Sequence, residues 1–412
     1  MLLKELIKGL EIIKMDGSCD IEISSITYDS RKAVKGSLFV CKGFGFDKKY
    51  IYDAIENGAA AILLDVDAEI PDGVTVVKVK DARYALAHVS DVFYGSPSKK
   101  LKIVGVTGTK GKTTTTFMIK SILEAEKQKV GLIGTVKNMI GDEVLYAERT
   151  TPESLDLQSL FSQMREKNVD TAVMEVTSHA LDLHRVSCVD FDIGVFTNLS
   201  RCHLDYHKTF ENYLNAKAKL FKMCKKGLVN VDNEYGEEII KQAECEVLTY
   251  AIDKDADIKA KNVSILADRV EFDAMTPWGT YSVVVGTPGK FSVYNALAAI
   301  GVCGMMGVSS ESIVKGLRHV SVPGRVEVVE TGTDYTVIID FAHSPDSLEN
   351  ILTAVKSHAP GRVICLFGCG GDRDKTMRPI MGEISGRIAD FSIITSDNPR
   401  TEDPASIVQQ IE

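Results

Sequence analysis

The residues best suited to chemistry lie in the stretch 103–116, read IVGVTGTKGKTTTT. An apolar run of strand character (Ile103, Val104, Val106) enters a turn carrying Gly105, Gly108 and Gly111, and Lys112 with four threonines then opens a helix. Glycines let a backbone approach an anion, amides at a helix start point at it, and the lysine adds positive charge. This is the chemistry of a phosphate cradle, and the Thr113 hydroxyl beside the lysine suits the Mg2+ that accompanies ATP. Val106 stands where the general G-x-x-x-x-G-K-[ST] pattern has its first glycine, so on this stretch alone a ligand-free glycine turn stays open.

Other residues fall where such a cradle needs help. Glu175 closes an apolar strand predicted over 171–176. A carboxylate at the carboxyl end of a parallel strand lies on the ligand side of the sheet, where a second acidic partner for Mg2+ belongs; a plain ion pair with Arg185 is the alternative. After a strand at 191–197 come His203, Asp205 and His207, a metal- or substrate-binding set or simple surface polarity. Lys217 and Lys219 sit inside a helix predicted over 209–223, where lysines ordinarily solvate the outer face. Asp29-Ser30-Arg31 reads as a turn before a strand, with a ligand role open.

These residues need a scaffold of alternating strands and helices, and the pattern supplies it. Apolar runs at 59–64, 74–79, 130–136 and 228–231 predict strands, and helical spacing marks 83–94, 113–126, 154–167 and 293–306. Alternating runs between 258 and 285, with Trp278-Gly279 as a hairpin tip, predict an antiparallel addition. The segment after Val322 alternates strands and helices again, with three polar loops at strand ends: 340–343, 368–374 and 396–400. The fold class is therefore α/β, in three domains: 1–98, a central 99–321 built on a parallel sheet, and a Rossmann-like 322–412.

The 412 residues are 44% hydrophobic and 25% charged, with a net charge of -9. That balance excludes a general nucleic-acid binder, which needs a basic face. Nine cysteines with no C-x-x-C spacing read as reduced thiols in a cytoplasm. The first residues mix Lys and Glu into a helical apolar pattern unlike a secretory signal, and no apolar run reaches the length of a membrane span.

In combination, GVTGTKGKTTT, ERTTPESLDL, VMEVTSHALDLHRV, NLSRCHLDYH, YLNAKAKLF, PGRVE, DFAHSPDSL, GCGGDRDKTMRP and DNPR resemble the ATP-dependent Mur ligases of peptidoglycan precursor synthesis. The resemblance runs from the Ser30 region to the end of the chain. It implies that an acyl phosphate made from ATP on a substrate carboxylate is attacked by an amine. The implied substrates are UDP-N-acetylmuramoyl-L-alanyl-D-glutamate and meso-diaminopimelate, with ATP and Mg2+, and a cytoplasmic monomer is expected. By resemblance, Gly108, Thr109, Lys110, Gly111, Lys112, Thr113 and Thr114 hold ATP, joined by Asn295, Arg325, Asp340 and His343. Thr113, Glu175 and His203 bind Mg2+, as does Lys217 in the form of an N6-carboxylysine (carbamate). Lys112, Glu175, His203 and Lys217 form the catalytic set.

The resemblance further assigns Ser30, Thr150, Thr151, Ser178 and Arg185 to the UDP-linked substrate, which makes the first domain a UDP-sugar-binding one. Asp397, Asn398, Arg400 and Arg378 are assigned to the amino acid. Cys202 stands where the family commonly has Asp, Ser292 where Asn is usual, and Lys48-Lys49 where the uridine-side loop reads Gly-His. The family's last domain continues past the DNPR loop, so a partial last domain is expected. Lysine-adding and folylpolyglutamate-type ligases, and a truncated form that binds nucleotide and UDP-sugar without catalysis, remain alternatives.

Overall fold

The computed structural model describes residues 1–412 apart from 44–46, 201–203, 267–268, 319 and 330. Its centre is an 11-stranded sheet in which Lys102–Thr107, the strand feeding the phosphate loop, lies between Phe191–Phe196 and Thr171–Glu175. All strands from Ile258–Ile265 through Glu246–Ala251, Cys224–Asn230, Phe191–Phe196, Lys102–Thr107 and Thr171–Glu175 to Val130–Ile133 run parallel. Their carboxyl ends therefore share one edge, the edge where ligands bind in open parallel sheets.

Both faces are covered, which is why these strands read as continuous apolar runs rather than alternating ones. On one face Val104, Val106 and Val173 pack against Met118, Ile119 and Ile122 of the helix Lys112–Ala125 and against Lys290–Met305. On the other, Ile103, Ala172 and Met174 meet Leu157, Phe161 and Met164 of Ser154–Glu166. The antiparallel addition falls where the alternation predicts it: Ile258–Ile265, Val270–Thr276 and Gly279–Val285 form a meander whose tip holds Trp278. A second one, Asn138–Ile140 with Glu143–Leu145, closes the opposite edge.

The N-terminal segment builds its own five-stranded sheet over a separate core. The helical pattern at its start yields only Leu3–Leu6 as helix, followed by the strand Ile12–Asp16 antiparallel to Thr75–Val79. That strand is exposed along its length, Ile12, Ile13 and Met15 included, and its apolar residues merge into the helical pattern that precedes them. The C-terminal segment pairs Glu327–Val329 with Val337–Ile339 and, in parallel, Ile364–Phe367 with Phe391–Ile394; Met377–Ile388 and Pro404–Ile411 pack beside the latter pair.

The helix Lys112–Ala125 starts with a run of β-branched threonines, a poor helix former that tertiary packing overrides. Its support is the helix Ser310–Arg318, which approaches so closely that a Cβ on Gly316 would lie 2.5 Å from the Ile122 Cα. Ser121 seals the contact by donating to the Gly316 carbonyl at 2.8 Å. Gly316→Ala is expected to cost about 1–3 kcal/mol of stability by overpacking, read by chemical denaturation; an unchanged midpoint would show that these helices separate freely.

Candidate active site

The phosphate loop is held open by its neighbours rather than by itself. Gly108 has φ +152°, and a Cβ there would sit 1.9 Å from Thr197 Oγ1; Gly111 has φ +85°, and a Cβ would sit 2.5 Å from Asn295 Oδ1. Only glycine fits either position. Asn198 grips the loop from the neighbouring strand's end, accepting from Lys110 N at 3.0 Å and donating to the Lys110 carbonyl at 3.1 Å. Lys112 folds back over the loop, its ammonium donating to the Gly108 and Thr109 carbonyls at 2.8 and 3.0 Å. Thr109 continues to Tyr213 through a 3.1 Å hydroxyl contact.

Glu175 is buried at the end of its strand and does not meet Arg185. It accepts from the Thr113 hydroxyl at 3.0 Å, from Thr135 N at 2.8 Å and from the Thr135 hydroxyl at 3.1 Å. A carboxylate and a hydroxyl at one point of the cleft are hard oxygen donors of the kind Mg2+ takes when it keeps waters and phosphate oxygens for its remaining positions. Among the described residues no group of three or more His, Cys, Asp or Glu is placed to hold a metal ion. His203 lies outside the described residues.

Lys217 does not solvate the outer face of its helix, as helical position alone would suggest. The helix runs only from Phe210 to Ala218 and gives way to a 3-10 turn, Lys219–Lys222. Lys217 is 1% exposed and its ammonium lies 4.6 Å from the Tyr213 ring centre, in the wall of the cleft. Lys219 is the outward one, paired with Asp182 at 2.8 Å. His207 stacks on Tyr213 at 4.9 Å and contacts Ser178 Oγ through Nε2 at 2.9 Å. Burial, with His179 adding to it, pushes His207 down to about 4, so the ring is neutral near pH 7.

Thr150 and Thr151 lie around Glu175: Thr151 donates to its backbone carbonyl at 2.9 Å, and Thr150 meets the Thr135 hydroxyl at 3.0 Å. Arg185 donates to the Thr151 carbonyl at 3.2 Å and pairs with Glu153 at 3.0 Å. From the last segment, Arg325 reaches over the Phe341 ring, 4.3 Å away, and donates to Thr113 Oγ1 at 3.4 Å. Burial lowers the Arg325 guanidinium and raises the Asp340 carboxyl, whose oxygens accept from Val326 N and Ala342 N. Desolvated charges of this kind interact strongly.

A cleft of about 860 Å³ gathers the phosphate loop, Glu175, Lys217, Thr150, Thr151, Ser178, Arg185, Asn295, Arg325, Asp340 and His343. Ser30, Arg378, Asp397, Asn398 and Arg400 do not line it. Ser30 is buried in the N-terminal segment. The other four form a second cluster, in which the loops 368–374 and 396–400 lock together: Gly371 N donates to the Asn398 carbonyl at 2.9 Å, and Arg400 donates to the Gly371 carbonyl. Arg400 holds a left-handed φ of +49°, uncommon away from glycine and typical of functional loops. Arg378 is buried, its two terminal nitrogens donating to Glu402 at 2.8 and 3.0 Å and to Gln410 at 2.7 Å while its Nε finds no partner among the described residues. Sequence reasoning missed Thr135, Asn198, Tyr213 and Glu153; polar residues just past strand ends, as in the first two, were the available signal.

This fold and cleft define a phosphate-loop α/β protein. Residues 106–303 match the Mur ligase middle domain and 324–412 the Mur ligase glutamate ligase domain. The chain belongs to the Mur ligase family. It is 49% identical over 415 residues to the UDP-N-acetylmuramoyl-L-alanyl-D-glutamate--2,6-diaminopimelate ligase of Caldanaerobacter subterraneus subsp. tengcongensis, covering 100% of this chain and 86% of that protein. It is 45% identical over 418 residues to the ligase of the same name from Clostridioides difficile, with the same coverage. A solved structure of a UDP-N-acetylmuramoyl-L-alanyl-D-glutamate--2,6-diaminopimelate ligase aligns with TM-score 0.78 at 28% identity, covering 100% of this chain and 85% of that one. Folylpolyglutamate synthase of Mycobacterium tuberculosis shares the fold, with TM-score 0.66 at 18% identity over 80% of this chain and 82% of the other.

The neutral His207 carries a pH signature. The unfolded chain takes up a proton near the ordinary histidine value of 6.5, whereas the folded ring resists until about 4. Its contribution to stability is therefore complete above 6.5 and is lost as pH falls towards 4. Calorimetry should show a shallower acid-side fall in thermal midpoint for His207→Gln than for the parent across that range; parallel slopes would assign the proton uptake to other groups.

Proposed function

We propose that the chain is an ATP-dependent ligase that joins meso-diaminopimelate to UDP-N-acetylmuramoyl-L-alanyl-D-glutamate in cytoplasmic peptidoglycan precursor synthesis. The observation that carries the reading is the meeting of Lys112, Glu175, Lys217 and Arg325 in one cleft between two separately built cores. The whole-length similarity to ligases of that name, 45–49% in the two relatives above, supports the substrate pair.

In this reading residues 108–114 cradle the β- and γ-phosphates of ATP, with Asn295, Asp340 and His343 completing the nucleotide site. A D-glutamyl carboxylate oxygen attacks the γ-phosphorus and ADP leaves. The amine of diaminopimelate then attacks the acyl carbon, loses a proton, and phosphate leaves with the C–O bond electrons. The acyl phosphate matters because oxide is a poor leaving group and phosphate a good one. Lys112 and Arg325 offset the negative charge that gathers on the transferring oxygens, in a desolvated cleft where such donors act most strongly.

Thr113 and Glu175, with His203 and a carbamate on Lys217, would hold Mg2+, which when bound neutralises phosphate charge. Carbamoylation turns the buried Lys217 from a cation that would repel Mg2+ into an oxygen donor. Thr150, Thr151, Ser178 and Arg185 would hold the UDP-linked substrate beside the cleft, with Ser30 at its uridine end. The Arg400 guanidinium, with Asp397 and Asn398, would read the distal carboxylate of diaminopimelate, a group that lysine lacks, and Arg378, engaged by Glu402, would support that loop from behind. Because Arg325 comes from the last segment, closure of that segment would shield the acyl phosphate from water.

Phosphate release should require all three substrates, and mass spectrometry should find the amide product; release independent of the amine would overturn the ligase reading. Lys112→Ala should lower kcat/KM by about 10²-fold or more. Arg400→Ala should erase the preference for diaminopimelate over lysine, and a retained preference would reassign that loop. Lys217→Ala should abolish the bicarbonate dependence of the rate, and intact-protein mass of the parent should show the added carboxylate.

A further inference from the structure

Glu153 begins the helix Ser154–Glu166, the position from which an acidic side chain ordinarily caps the first amides. It makes no such cap. Its carboxylate turns instead to three cations: Oε2 lies 2.6 Å from Lys42 Nζ, while Oε1 lies 3.0 Å from Arg185 Nε and 3.6 Å from Arg149 Nη1. Lys42 belongs to the N-terminal sheet, just past the strand Ser37–Val40, and its ammonium stands 4.0 Å over the Tyr28 ring. Tyr28 in turn donates to Asp156, on the same helix as Glu153. Arg185 belongs to the wall of the cleft.

One carboxylate thus joins the N-terminal sheet to a cleft guanidinium, away from water: the side chains of Lys42, Glu153 and Arg185 are 11%, 5% and 12% exposed. Burial works to raise the Glu153 carboxyl, but Arg185, Lys42 and Arg149 outweigh it and hold it below the usual carboxylate range. Burial lowers both Lys42 and Arg185. Two buried cations that share an anion depend on it; with the anion gone they repel each other and lose their orientation. Arg185 would keep only its bond to the Thr151 carbonyl. The phosphate loop would be untouched, because Asn198, Thr197 and Asn295 hold it from other elements.

We propose that Glu153 is a positioning residue: it orients Arg185 towards the UDP-linked substrate and clasps Lys42, so that the substrate site is complete only with the N-terminal sheet docked on the central one. The inference rests on the ligase reading given above. Arg149, half-exposed at the rim, supplies charge to the cluster without bridging the two sheets.

The test is steady-state kinetics of the full chain with ATP, UDP-N-acetylmuramoyl-L-alanyl-D-glutamate and meso-diaminopimelate. Glu153→Gln keeps the shape and removes the charge. It should raise the KM for the UDP-linked substrate by about tenfold or more while moving the KM for ATP and kcat by less than about threefold. Lys42→Met should produce the same selective rise, and the double variant should be clearly less than additive. Glu153→Asp, which retains the charge, should recover part of the affinity and serves should the Gln variant fail to fold. A lowered thermal midpoint with no selective change in that KM, or additive single variants, would overturn the clasp. A parent chain that turns over without any response to the UDP-linked substrate would remove the ligase reading, and the clasp with it.

Discussion

The contact on which the site depends is the hydrogen bond from the Thr113 hydroxyl to the buried Glu175 carboxylate. A carboxylate at the end of a fully covered strand is costly unless its oxygens are occupied, and Thr113 and Thr135 occupy them. The bond also fixes the first turn of the phosphate-loop helix against the neighbouring strand. The loop's opening, its lysine and its acidic partner are therefore set by one arrangement of two parallel strands. Register matters here: Glu175 pairs with Val106, the residue just before the strand's last threonine, and a slip of one residue would turn the carboxylate to the opposite face.

Around that contact the molecule spends buried charge unevenly. The cleft buries Lys217 and half-buries Arg325, Asp340 and Arg185, with Arg325 reaching Thr113 and Arg185 pairing with Glu153. Desolvated groups of this kind respond strongly to any anion entering between them, which suits a site proposed to gather phosphates and a carboxylate. The neutral His207 bonds Ser178 on one wall of the cleft and stacks on Tyr213, whose hydroxyl meets Thr109 of the phosphate loop. Two hydrogen bonds and a ring stack thus connect Ser178 to the phosphate loop.

The parallel strands of the centre were legible because burial on both faces demands apolar runs, and the glycine turn was legible because close approach of backbone demands glycine. The exposed strand Ile12–Asp16 was not, since its apolar residues extend the helical pattern of the residues before it. The helix carrying Lys217 was read too long: the residues after Ala218 keep a helical pattern of side chains but tighten into a 3-10 turn so that Leu220 and Phe221 reach the core. The pairing of Arg378 with Glu402 and Gln410 was not legible, because those partners come from the turn and helix that follow the DNPR loop.

By itself the sequence determined the fold class, the phosphate loop and the family, because each rests on local residue types in fixed order: glycines, a lysine, a threonine, and apolar runs of strand length. Only the tertiary structure decided which charges meet. Glu175 and Arg185 stand ten positions apart, yet Glu175 takes Thr113 and Thr135 while Arg185 takes Glu153. Lys217 lies buried where Lys219 lies half-exposed, two positions away in the chain. Such pairings follow from which strand ends and helix starts share an edge of the sheet, and that is a property of packing across the whole chain rather than of any stretch within it.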